Sequence, residues 1–194
     1  MSLTSTTNPA VRIVDGAEVP VAGTYALDAS HSQVGFAVRH LMVSKTRGRF
    51  SDFAGTVEIA EHPFESSVSV TIQTASVDTR DEQRNGHLRS GDFFDAEAWP
   101  TMTYQSRSVR EAGKGQYIVD GDLTIKGVTR SVPLELTFEG GATDPWGGVR
   151  IGFSAKAELD REAFGLTWNQ ALETGGVVVG KKVTIEIEAE AVKQ

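Results

Sequence analysis

Apolar and polar residues alternate one for one over long stretches of this chain, and the pattern restarts many times. Tyr117, Val119, Gly121, Leu123 and Ile125 share one parity, with Asp120, Asp122, Thr124 and Lys126 between them. Val132, Leu134, Leu136 and Phe138 repeat it, as do Val149, Ile151, Phe153, Ala155, Ala157 and Leu159, and then Val183, Ile185, Ile187, Ala189 and Ala191. A period of two marks a strand with one buried and one wet face. The interleaved Lys182, Thr184, Glu186, Glu188 and Glu190 would be costly to bury, so the apolar parity faces inward. The pattern predicts one long, curled antiparallel sheet around an apolar interior.

At 194 residues the chain is most economically one domain with a sizeable core. A formal charge of -7 and a pI of 5.1 argue against a nucleic-acid surface and make repulsion from anionic membranes the default. There is no cysteine, which excludes disulfides. Met1 to Gly23 lacks the basic region and apolar core of a secretory signal, and no stretch is long enough to span a bilayer. The expectation is a cytoplasmic protein without stable membrane insertion.

Residues 1–23 read as a flexible N-terminal arm with at most a short strand at Val11 to Val14, and residues 24–193 as a single barrel domain. Tyr25 to Leu41 opens the barrel, with Val34, Phe36, Val38 and His40 on one face. A basic connection, Ser44 to Arg49, leads to Phe50, Phe53 and a strand near Gly55 to Ala60. Ser67 to Val77 alternates again, whereas Asp78 to Asp95 is charge-rich and reads as a short helix with Thr79 as its N-cap. Strands follow at Met102 to Val109, Gln116 to Lys126, Thr129 to Glu139, Val149 to Asp160 and Lys181 to Val192, with a turn or helical piece at Arg161 to Gly165. The predicted class is all-β, an antiparallel barrel of about eight strands with one or two short helices, a size that just holds one ligand.

Catalytic motifs are sparse. Gly152-Phe153-Ser154-Ala155-Lys156 lacks the second glycine of a nucleophile elbow, and no phosphate-binding glycine loop occurs. His31 and His40 fall on opposite parities, and His62 and His87 lack ligand spacing, so no metal site is expected. His40 continues the inward row, where it would hydrogen-bond either a polar ligand group or a backbone carbonyl. Arg39, Lys45, Arg47 and Arg49 form a positive cluster in an acidic chain. They would either receive an anionic head group at a barrel mouth or act as solvated charges that discourage strand pairing. Phe36, Tyr104, Tyr117, Phe138 and Phe153 share the inward parity, while Phe50, Phe53, Phe164 and Trp168 lie near ends and connections. Periodicity does not distinguish a packed interior from a hollow one.

Several local patterns recur in a fixed order: Tyr25-x-Leu27-Asp28-x-x-His31-Ser32-x-Val34-x-Phe36, His40, and Gly48-x-Phe50-x-x-Phe53-x-Gly55. His87-Leu88-x-Ser90-x-Asp92-Phe93-Phe94-Asp95, Trp99-Pro100, Gly121-x-Leu123-Thr124-Ile125-Lys126-Gly127-Val128-Thr129, Arg161-x-x-Phe164-Gly165 and Val183-x-Ile185-x-Ile187 complete the series. Together, from Tyr25 to Val192, they resemble the YceI-like, polyisoprenoid-binding protein family.

The resemblance implies an extended lipocalin-like barrel of eight antiparallel strands around a long apolar tunnel. The tunnel would hold an isoprenoid lipid, as a polyprenyl pyrophosphate or a quinone tail, with its head near the opening. No other cofactor and no enzymatic activity are expected, and a homodimer is the assembly implied. On this view Val34, Phe36, Val38, His40, Phe50 and Phe53 line the tunnel, together with Met102, Tyr104, Tyr117 and Leu136. Phe138, Phe153, Phe164 and Trp168 complete the lining, and Arg39, Lys45, Arg47 and Arg49 meet the head group. The competing readings are a barrel enzyme, with His40 as acid or base and Tyr104 or Tyr117 as donor, and a stress-related scaffold protein. Two departures stand out. Many family members carry a secretion signal that is not visible here, and the glycine-rich Thr167 to Gly180 aligns with no binding role.

Overall fold

The computed structural model describes residues 8–173 and 175–194. Strand β1 has two parts, Gly23–Leu27 and Gln33–His40, and β2 likewise has Ser44–Phe50 and Phe53–Ile59. β3 runs Ser67–Gln73 and resumes briefly at Val77–Asp78. β4 (Thr101–Gly113), β5 (Gln116–Ile125), β6 (Leu134–Thr143), β7 (Val149–Asp160) and β8 (Val179–Lys193) are each continuous. Each strand pairs antiparallel with the next, and β8 pairs with both β7 and β1, which closes the sheet. The result is the expected all-β, eight-stranded, lipocalin-like barrel. Part of the β5 edge pairs instead with a short strand, Val128–Ser131.

Register follows the alternation. Ala155 faces Ile187 and Ala157 faces Ile185 across β7 and β8, so the inward rows coincide. The outward rows juxtapose opposite charges, with Lys182 Nζ 2.8 Å from the Glu158 carboxylate. Two turns are built on residues with positive φ, Asp15-Gly16 (51° and 79°) and Lys126-Gly127 (51° and 73°), which suit the right-handed twist of a hairpin.

One end of the barrel carries an N-terminal hairpin of Val11–Val14 and Ala17–Pro20. The sequence predicts a flexible arm there, but the Asp15-Gly16 turn folds the chain back and fully buries Ala10, with Val19 nearly so. The Arg12 guanidinium donates to the carbonyls of Ala60 (2.7 Å) and Pro20 (3.1 Å) and fixes the hairpin to the barrel. The remainder of the expected arm, residues 1–7, lies outside the described residues.

The opposite end carries the helix α1, Glu82–Arg89. Its cap is Asp81, whose carboxylate accepts from the Arg84 N–H at 2.9 Å, and not Thr79 as the sequence suggests. Arg80, at φ 61°, reverses the chain between the two, which leaves Thr79 buried with its hydroxyl 2.7 Å from Asn85 Oδ1. Arg161–Phe164 forms the expected helical piece as a short 3-10 turn. Pro63–Glu65 and Thr74–Ser76 add two further turns of that kind.

Two apolar clusters fill the ends. Phe50, Phe53, Ile72, Met102 and Phe164 pack near the helix end, and Tyr25, Val57, Ile151 and Ala191 near the hairpin end. The Tyr25 hydroxyl donates to the Val21 carbonyl at 2.7 Å, so its polar atom is satisfied within a fully buried ring.

Candidate functional site: an apolar cavity with one polar end

A cavity of about 430 Å³ runs through the barrel. Its wall includes every residue expected to line a tunnel: Val34, Phe36, Val38, His40, Phe50 and Phe53 from the first two strands, and Met102, Tyr104, Tyr117 and Leu136 from β4, β5 and β6. Phe138, Phe153, Phe164 and Trp168 complete that set. The interior is therefore not wholly packed.

Two glycines set the shape of the wall. A Cβ at Gly48 would strike the Phe36 ring, and one at Gly121 would strike the Tyr104 ring, so both aromatics lie flat across a bare strand. The Tyr104 hydroxyl lies 2.9 Å from the Val119 carbonyl and 3.1 Å from that of Val132. Burial raises its pKa strongly, with Asp120 and Asp122 adding to the shift, and burial also raises that of Tyr117. Both phenols stay protonated near neutral pH, and the hydroxyl of Tyr104 is committed to the backbone.

Polar side chains gather where the wall meets α1. Arg84 donates through Nε to the Thr79 hydroxyl and through its terminal nitrogen to the Thr79 carbonyl, both at 2.8 Å. His87 Nε2 lies 2.8 Å from the Asp92 carboxylate, and its ring meets Trp168 edge-on at 4.6 Å between centroids. Arg161 is only 4% exposed. Its guanidinium donates to the carbonyls of Gly180 (2.8 Å), Trp168 (3.0 Å) and Val179 (3.3 Å), and to that of Leu166. Burial lowers its pKa, and Glu162 and Asp160 partly offset that. The segment Thr167 to Gly180, unassigned by sequence, thus crosses this end and contributes Trp168, Val178 and Val179 to the wall; Thr174 lies outside the described residues.

His40 also lines the cavity, and its ring makes no hydrogen bond among the described residues, so the expected backbone-carbonyl partner is absent. The basic cluster divides. Arg39 reaches the rim, but Lys45, Arg47 and Arg49 lie on the outer face of β2, because Thr46, Gly48 and Phe50 hold the inward parity. Arg47 meets Glu186 at 2.5 Å, and Arg49 approaches Asp78 at 3.7 Å. These three therefore do not stand on the cavity wall. Arg84 and His87, on the short helix α1, and Arg161, in the 3-10 turn, stand at the cavity end instead, where the two-residue strand period assigns no face.

Asp28, His31 and Glu190 bring three ligand-type atoms together on the side of the barrel. Arg150 occupies the middle of that group, at 2.8 Å from Asp28, 2.8 Å from Asp144 and 2.5 Å from Glu190. Hydrogen bonds from Ser30, His31 and Arg150 depress the Asp28 pKa, and Arg150 does the same for Asp144. The carboxylates are thus tied together by one guanidinium, in a clasp joining the break in β1 to β7 and β8.

A closed eight-stranded barrel with this ordered set of motifs can be compared with known proteins. The family profile described as a YceI-like domain matches residues 25–191. The chain belongs to the YceI-like family. A UPF0312 protein of Staphylococcus aureus (strain USA300) is 39% identical over 168 residues, covering 86% of this chain and 95% of that protein. Among solved structures, this YceI-like barrel matches BcnA of Burkholderia cenocepacia with a TM-score of 0.74 at 26% identity, over 84% of this chain and 98% of that one. The Campylobacter jejuni YceI protein matches with a TM-score of 0.69 at 28% identity, over 80% and 90% of the respective chains. A polyisoprenoid-binding domain from Saccharophagus degradans, implicated in plant cell wall breakdown, shares the fold with a TM-score of 0.68 at 17% identity, over 88% and 98%. Among the described residues of this YceI-like chain, no helix is long and apolar enough to cross a membrane.

Proposed function

We propose that this YceI-like protein is a non-enzymatic carrier or store for an isoprenoid lipid, held with its chain in the cavity and its head at the helix end. The observation that carries the reading is the cavity itself: about 430 Å³, walled by aliphatic and aromatic side chains along its length, with basic groups gathered at one end. That volume lies within the roughly 300–1,000 Å³ typical of small-molecule sites. Each buried methylene-sized unit contributes about 0.8 kcal/mol, so a five-carbon isoprene unit offers roughly 4 kcal/mol before ordering costs. An apolar chain needs no specific polar contact to bind such a wall. The polyisoprenoid-binding domain that shares the fold lends the reading its ligand class. Arg84, His40 and His87 are the polar groups best disposed to meet a head group, with Arg39 at the rim.

The enzyme reading has less support. Among the described residues His40 has no orienting partner, and the hydroxyl of Tyr104 is engaged with carbonyl oxygens. Native mass spectrometry of freshly purified protein, followed by organic extraction, tests the carrier reading. A stoichiometric polyprenyl adduct is expected, and Ala155→Trp, which fills the middle of the cavity, should abolish it while the fold persists. No binding of any member of a polyprenyl series by the apo protein would refute the proposal.

A further inference from the structure

The turn between the outer part of β1 and β2 differs from the two other turns that carry consecutive residues of positive φ at a hairpin. Leu41 and Met42 both adopt positive φ, 50° and 62°, as do the central residues of the Asp15-Gly16 and Lys126-Gly127 turns. Those turns end in glycine, the residue that tolerates such a backbone, whereas here the sequence places two large apolar side chains. Nor does the fold cover them: Leu41 is 38%, Met42 57% and Val43 80% exposed. An apolar tip that is both locally strained and wet satisfies neither stability nor solubility, the combination that marks a functional surface.

A second observation concerns charge. Arg39 and Lys45 face one another as cross-strand partners directly behind the tip, both exposed. Like charges so placed repel. Among the described residues neither forms an ion pair, and nearby carboxylates are engaged elsewhere, Glu186 by Arg47 and Glu162 by Lys181. A chain of net charge -7 thus leaves two adjacent cations uncompensated beside its exposed apolar tip. The tip also adjoins the cavity, since His40 lines the wall and the Leu41 N–H donates to the wall residue Val178 at 2.9 Å.

We propose that the Leu41–Val43 tip, with Arg39 and Lys45 behind it, docks the barrel reversibly on an anionic lipid bilayer. Three apolar side chains are too few for a protein interface, which buries about 800 Å² per partner. They suit shallow insertion at the boundary between head groups and acyl chains, where basic residues meet lipid phosphates. The net negative charge of the whole molecule opposes binding, so docking is weak and falls steeply with salt. The inference does not depend on what the cavity holds.

The test is flotation of the full chain with vesicles of phosphatidylcholine alone or mixed with phosphatidylglycerol, at low and high ionic strength. Binding is expected only to the anionic vesicles at low salt. Met42→Ser/Val43→Ser should weaken it about tenfold or more. Lys45→Gln should weaken it roughly fivefold. Both variants alter exposed side chains, and unchanged melting together with unchanged uptake of an apolar fluorescent probe checks that barrel and cavity survive. Absence of wild-type binding to anionic vesicles, or binding that both variants retain, would overturn the proposal. So would light scattering showing that the tip instead holds two copies together without vesicle binding.

Discussion

Arg161→Met removes from the helix end a guanidinium that donates to the carbonyls of Leu166, Trp168, Val179 and Gly180. Val179 keeps the Asn169 side-chain amide as a donor at 2.7 Å, so three carbonyls lose more than it does. At about 1 kcal/mol net per hydrogen bond, the loss is about 3 kcal/mol, reduced somewhat because methionine spares the cost of burying a cation. For a chain of this size each kcal/mol moves the melting temperature by roughly 2–4 °C, so calorimetry should find a drop of about 6–12 °C. Arg161→Lys keeps the charge but not the planar fork, and one ammonium does not reach four dispersed carbonyls. It should recover less than half of the loss. Hydrogen exchange should accelerate first across residues 165–180 in both variants. Melting of Arg161→Met within a degree or two of wild type, or full rescue by lysine, would refute the view that this one side chain holds the segment.

Two further outcomes follow from groups already described. Asp28 has a folded-state pKa below its unfolded value of about 3.9, so its contribution is present above that value and is lost as pH falls through the folded one. In urea melts between pH 5 and pH 2, Asp28→Asn should lose less stability with acid than wild type while being weaker at pH 7; parallel curves would count against the clasp. Tyr104→Phe should cost about 1–2 kcal/mol, because its buried hydroxyl is shared between two carbonyls. A chemical denaturation midpoint equal to wild type would show that those carbonyls find other donors.

Much of the cavity wall was legible in the sequence because its residues obey a two-residue period: Phe36 and Phe153 each sit mid-row among apolar neighbours of the same parity. The same rule, carried three residues further, would have turned Lys45, Arg47 and Arg49 outward. In sequence Ser44 to Arg49 has the polar, basic character of a connection, whereas the turn is only Leu41 to Val43 and β2 begins at Ser44. Arg84, His87 and Arg161 follow no period. Their positions depend on the reversal at Arg80 and on the path of residues 165–178, which are tertiary outcomes without a local signature. The N-terminal hairpin left two cues, the short strand at Val11 to Val14, which forms as expected, and Asp15-Gly16, together too little to reveal that Ala10 and Val19 would be buried.

The first three strands are each interrupted, at residues 28–32, at Ser51-Asp52 and at the turn Thr74–Ser76, whereas β4 to β8 carry no such gap. The interruptions are neighbours across the sheet, since Phe50 pairs with Val77 above the gap and Phe53 with Ile72 below it. One side of the barrel is therefore divided into an outer and an inner panel, joined across the seam by single backbone hydrogen bonds such as Gln73 N–H to the Asp52 carbonyl at 2.9 Å, while the strands of the other side run its full height without a gap.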